Sequence, residues 1–130
     1  MIKKTLLLIW VLPLFFSCQK ETEIPIKDHT EQELKELYSE ITEEISKVNC
    51  TDPKDWKFTA IGAKPCGGPS HYIAYPLINI NTDELLDQIN YYSLAEKQYN
   101  RTHNVVSDCS VVSPPKTVRC QDGKAVLGYW

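Results

Sequence analysis

The sequence predicts a small α+β domain in which two amphipathic helices pack on a short, mainly antiparallel sheet, stapled by two disulfides. Three observations predict this class: two stretches with apolar residues at helical spacing, short alternating stretches bounded by glycine and proline, and four cysteines after residue 49. A chain of 130 residues has room for one such domain and not for two.

The first helix is predicted to begin after Thr30, which stands at capping-box spacing from Glu33. The residues outside its apolar stripe are mostly glutamate and lysine, which indicates a solvated face. We expect the helix to end near Asn49, before Asp52-Pro53. The apolar stripe consists of Leu34, Leu37, Tyr38, Ile41, Ile45 and Val48.

Residues 56–61 alternate apolar and polar side chains and predict a half-buried strand, with Phe58 in the core. Residues 62–70 are rich in glycine and proline and predict a loop. Residues 72–75 fit a short strand or the start of a helix, which Pro76 ends.

A second helix is predicted from Asn81 or Thr82, because Asn81 and Glu84 have capping-box spacing, and it should fray over residues 101–104. Glu96 falls inside its apolar seam, where a buried acid could act in acid–base chemistry. The alternative is a carboxylate that reaches water or accepts hydrogen bonds from a tyrosine or an arginine. The seam consists of Leu85, Ile89, Tyr92 and Tyr99, flanked by Leu86 and Ala95.

The last third of the chain is predicted to be β-like, including the valine pairs at 105–106 and 111–112. Asp122-Gly123 separates two short apolar runs at 117–120 and 124–127. Asp-Gly in this position is a strong hairpin signal.

Residues 1–17 have the pattern of a signal peptide. Lys3 and Lys4 precede an apolar run over residues 6–16, which is shorter than the roughly 20 residues that a spanning helix needs. An uncleaved membrane anchor is the alternative.

Phe15-Phe16-Ser17-Cys18 resembles a lipobox, at which bacterial lipoproteins are cut before a lipid-modified cysteine, and its loose form is similar to that of Bacteroidota lipoproteins. The following residues 19–23, Gln-Lys-Glu-Thr-Glu, resemble the export tag that sends such lipoproteins to the outer face of the outer membrane. The resemblance implies palmitate on Cys18. The polar composition of residues 19–29 predicts a flexible tether, so we expect a lipidated tether over residues 18–29 and a domain over residues 30–130. The resemblance also implies a cell-surface location, with a periplasm-facing anchor as the alternative.

The four cysteines outside the lipobox predict two disulfides, since an even number in a small exported domain is typical of bridges. We expect the local pairs Cys50–Cys66 and Cys109–Cys120, although three pairings are possible. No cysteine pair has CxxC spacing and no histidine pair has i,i+4 spacing, so we expect no metal site.

The Cys66-Gly67-Gly68-Pro69 loop, with Asp108-Cys109 and Pro114-Pro115, resembles small exported Bacteroidota lipoproteins of no established activity. The loop lacks the motifs of phosphate-binding loops, so we expect no cofactor and interpret it as a disulfide-pinned turn or an exposed recognition loop. The candidate binding residues are Gly67, Gly68, His71, Tyr72, Tyr75 and Tyr91.

The charge excludes one class of partner. The chain carries −3, and removal of residues 1–17, which hold two lysines and no acid, leaves −5, so nucleic acid is not expected. We expect a non-enzymatic binding module for a protein or a glycan, with no catalytic residue. The alternatives are a protease inhibitor that presents residues 66–72 and, less favoured, a hydrolase that uses Glu96 and His71.

Overall fold

The computed structural model describes residues 26–130. The signal peptide, Cys18 and the residues that resemble an export tag lie outside this range. The order of elements is α1 (Glu31–Ser46), a 3₁₀ turn (Pro53–Asp55), β1 (Trp56–Ile61), β2 (His71–Pro76), α2 (Thr82–Thr102), β3 (Thr117–Gln121) and β4 (Lys124–Gly128). Two helices and four antiparallel strands confirm the predicted α+β class.

Side-chain caps start both helices as the sequence predicts. The Thr30 hydroxyl accepts the Glu33 N–H, and the Glu33 carboxylate accepts the Thr30 N–H at 2.7 Å. At α2, the Asn81 side chain accepts the Glu84 N–H at 3.3 Å. These bonds satisfy backbone donors that have no partner within the helix.

The predicted sheet is two separate hairpins. β1 pairs with β2, with Phe58 opposite Ala74, and β3 pairs with β4, with Arg119 opposite Val126. Asp122 and Gly123 both have positive φ, 51° and 74°, as a two-residue hairpin turn requires. The Asp-Gly prediction is confirmed.

The β1–β2 hairpin lies between the two helices and the β3–β4 hairpin. Ile61 and Tyr75 belong to a core shared with both helices, whereas Trp56 and Ala74 pack in a second cluster with Val118 of β3. This separation follows from the alternation of side chains along a strand. Phe58 is only partly buried against the second cluster, so its predicted place in the core is wrong.

The disulfides are Cys50–Cys120 and Cys66–Cys109, so the predicted local pairing is wrong. Cys50–Cys120 joins the segment after α1 to β3, and Cys66–Cys109 joins the loop after β1 to the segment after α2. The two bridges therefore join positions that are 70 and 43 residues apart in the sequence.

Two segments differ from the sequence-based assignment. Residues 103–116 contain no strand, so the two valine pairs are not β structure. Residues 26–29, which the composition assigned to the tether, contact the domain: Ile26 packs against the core and the ring of His29 is buried. Within residues 26–130 neither helix is long and apolar enough to cross a membrane.

Candidate functional site

The loop between β1 and β2 is a closed turn. The Lys64 N–H donates to the Gly68 carbonyl and the Gly67 N–H donates to the Lys64 carbonyl, both at 2.9 Å. Gly67 and Gly68 have φ of 98° and 79°, which glycine adopts at little cost. A Cβ at either position would meet nothing within 4 Å, so the turn, and not crowding, requires glycine there.

Glu96 of α2 holds the inner side of this loop. Its carboxylate accepts hydrogen bonds from the Ala63 N–H at 2.5 Å, the Ser70 hydroxyl at 2.7 Å and the Tyr92 hydroxyl at 3.2 Å. Asn100, one turn further on, donates to the Ala63 carbonyl at 2.6 Å. The apolar seam of α2 therefore contains a carboxylate because the loop supplies donors for it.

The outer side of the loop is tied to the segment after α2. Besides the Cys66–Cys109 disulfide, the Lys64 ammonium lies 3.3 Å from the Asp108 carboxylate and donates to the Ser110 carbonyl at 2.7 Å. Hydrogen bonds from Ser110 and the charge of Lys64 lower the pKa of Asp108. The loop is thus fixed from both sides.

A groove of about 670 Å³ lies between this loop and the end of α2, and we call it the loop groove. Gly67 and Gly68 lie on its loop side, and Lys97 and Arg101 lie on its helix side. All four of these residues are exposed. Pro65, Val105 and Val106 add apolar surface.

The charge of the loop groove is opposite to that of the chain. Lys97 and Arg101 are one helical turn apart, and neither forms an ion pair with another residue of the described part of the chain. Lys64 also lines the groove, but Asp108 neutralises it. The groove therefore presents two unpaired cations beside an aliphatic surface.

Comparisons of this chain with protein-family models, with curated proteins and with solved structures find no match. What the site can do therefore follows from its own geometry and charge.

His71 lies near Glu96 but is not in the loop groove. Its Nε2 lies 3.0 Å from the Tyr38 hydroxyl, and the two rings meet edge to face at 5.4 Å. Burial lowers the pKa of His71, although the charge of Glu96 opposes this shift. Burial, helped by the charge of Glu96, raises the pKa of Tyr92. Neither Glu96 nor His71 lines the loop groove.

The three candidate tyrosines do not come together. Tyr75 is buried in the core shared with the helices. Tyr72 is half-buried on the opposite face of β2, at a second groove of about 440 Å³. Tyr91 is half-buried, and its hydroxyl lies 2.9 Å from His29 Nε2. Only Gly67 and Gly68, among the six candidate binding residues, line the loop groove.

Lys97 and Arg101 are not among the site residues that the sequence predicts. Their i,i+4 spacing was visible, but two bases on a helix ordinarily mark a solvated face. Their importance depends on the loop opposite them, and that placement depends on the Cys66–Cys109 disulfide. Among the described residues no group of three histidine, cysteine or acidic side chains is arranged to hold a metal ion.

Proposed function

We propose that this protein is a lipid-anchored lipoprotein of the bacterial outer membrane and a non-enzymatic binding module that holds a partner in the loop groove. The observation that carries the binding role is the groove itself: a large, open cleft whose loop wall is held by a disulfide, by Glu96 and by Lys64. A rigid wall favours binding, because little conformational entropy is lost when the partner docks.

The anchor and its location rest on the sequence. Cys18 and the residues that follow it support lipidation and display on the cell surface, with a periplasm-facing anchor as the alternative. The tether would then place the loop groove within reach of partners in the same membrane or outside the cell.

The hydrolase alternative has less support. A general acid must reach the substrate, but the Glu96 carboxylate already accepts three hydrogen bonds from the loop and from Tyr92. His71 is hydrogen-bonded to Tyr38 and does not line the loop groove. This arrangement favours a structural role for both residues.

The protease-inhibitor alternative depends on the shape of residues 66–72. Residues 65–68 are exposed and fixed by the disulfide, which such a loop needs. However, the hydrogen bonds between Lys64 and Gly68 close the loop into a turn, and both glycines have positive φ. A segment that binds in a protease cleft has an extended backbone instead. The closed turn therefore favours a role for this loop as a wall of the groove.

Site-specific photo-crosslinking in intact cells tests the proposal. A photoreactive amino acid at Val106, which lines the groove and is 89% exposed, should give a discrete crosslinked species. The matched control is Val111, which is 91% exposed and does not line the groove. Equal products from both positions, or none from Val106, would contradict binding in the loop groove.

A further inference from the structure

We infer that the loop groove binds an extended acidic segment of a partner protein. In this segment two acidic residues are separated by a single aliphatic residue. This inference rests on the proposed binding function and adds the chemical class of the ligand. It is argued from the charge of the groove, the spacing of its cations and the side chains that line it.

The charge of the loop groove favours an anionic ligand. Lys97 and Arg101 are exposed and have no acidic partner in residues 26–130, although acids outnumber bases in the chain as a whole, 17 to 14. Two unpaired cations in a cleft attract carboxylates more strongly than the same cations would on a convex surface, because the low-dielectric walls focus the field.

The spacing of the cations fits an extended chain. Residues four apart on a helix are separated by about 6 Å along its axis. Alternate residues of an extended chain point to the same side and are about 6.6 Å apart. An acid-x-acid segment running along α2 would therefore bring one carboxylate to Lys97 and the other to Arg101.

The remaining walls suit a peptide better than a glycan. Val105, Val106 and Pro65 present aliphatic surface for a side chain. No aromatic ring of residues 26–130 lines the groove, whereas sugar rings pack their C–H faces on aromatic rings. Gly67 and Gly68 have no Cβ, so a peptide backbone can come close to the loop.

Peptide binding by the full chain, purified in detergent, tests the inference. The probe is a fluorescent ten-residue peptide with a central Glu-Val-Glu, and its dissociation constant is measured by anisotropy. The same peptide with Gln-Val-Gln should bind at least tenfold more weakly. Raising the salt concentration from 0.05 to about 0.5 M should weaken Glu-Val-Glu binding severalfold, because the contacts are exposed ion pairs.

Variants of the chain locate the contacts. Lys97→Gln and Arg101→Gln should each weaken binding about two- to fivefold, the range for exposed ion pairs, and the double variant about tenfold. Lys116→Gln and Lys124→Gln remove exposed charges outside the groove and should change nothing. If the two control variants also lost peptide binding, a contact in the loop groove would be contradicted.

The remaining outcomes separate the ligand class from the binding function. Absence of Glu-Val-Glu binding, or equal binding of Gln-Val-Gln, overturns the acidic-segment inference. Tighter binding of oligogalacturonate, sensitive to Arg101→Gln, overturns the peptide in favour of an anionic glycan. In both cases a specific Val106 crosslink in cells would leave the proposed binding function standing, whereas its absence would remove both.

Discussion

The carboxylate of Glu96 lies 2.7 Å from the hydroxyl of Ser70, and this hydrogen bond ties α2 to the loop that precedes β2. The same carboxylate oxygen accepts the Ala63 N–H, so one acid holds both ends of the loop. The loop in turn forms one wall of the loop groove. The acid that the sequence places in an apolar seam is therefore part of the support of the candidate binding site.

Glu96→Gln should lower the free energy of unfolding by about 1–2 kcal/mol, because a neutral amide replaces the carboxylate that now accepts three charge-assisted hydrogen bonds. Chemical denaturation measures this effect. Glu40→Gln, an exposed acid on α1, is the matched control and should change stability by less than about 0.5 kcal/mol. Loss of a substrate turnover in Glu96→Gln with unchanged stability would instead assign Glu96 a catalytic role.

Gly62→Ala should destabilise the protein more than Gly67→Ala. Both glycines have positive φ, 77° and 98°, where an alanine costs about 1–2 kcal/mol. A Cβ at Gly62 would also lie 2.7 Å from the Ser70 hydroxyl oxygen and would collide with Glu96, whereas one at Gly67 would meet nothing within 4 Å. Thermal unfolding of the two variants checks the order. Equal losses of stability in the two variants would show that Glu96 and Ser70 move aside for the new Cβ without cost.

Non-reducing peptide mapping should recover Cys50–Cys120 and Cys66–Cys109, with no free thiol among the four. In the chain-entropy model, each bridge stabilises the fold by about 4 kcal/mol. Mild reductant should open Cys66–Cys109 first, because both of its cysteines are exposed whereas Cys50 is only 3% exposed. Recovery of a Cys50–Cys66 peptide would contradict this connectivity.

Stability should fall between pH 7.5 and 5.5 through His71. Because burial holds its pKa in the folded state below the ordinary value of 6.5, the unfolded chain takes up the proton first as the pH falls. The free energy of unfolding should therefore be higher above pH 6.5 and decrease below it. His71→Gln should flatten this dependence, as measured by denaturation at several pH values. An unchanged slope in the variant would assign the dependence to another group.

Metabolic labelling with palmitate should mark the wild-type chain and not Cys18→Ser, because the thiol is the site of acylation in the lipoproteins that residues 15–18 resemble. The labelled chain should also be accessible to protease added outside intact cells. Lys20→Ala with Glu21→Ala should reduce that accessibility without changing the label. Label on Cys18→Ser would contradict the anchor, and shielding of the wild type would leave only the periplasm-facing alternative.

Local signals predicted the secondary structure well. The capping box at Thr30, the strand over residues 56–61 and the Asp122-Gly123 turn all depend on residues a few positions apart, and the structure has each of them. The valine pairs after α2 misled the prediction, because β propensity alone does not supply a partner strand.

The sequence by itself determined the α+β class, the two helices, the strand over residues 56–61, the hairpin at Asp122-Gly123 and the presence of two disulfides. Only the tertiary structure decided which cysteines pair, what Glu96 binds, and which side chains face Gly67 and Gly68. The physical reason is distance along the chain. Helical periodicity and turn chemistry act over a few residues. The Cys66–Cys109 bridge instead joins positions 43 residues apart, and Glu96 contacts Ser70 and Ala63, which are 26 and 33 residues away.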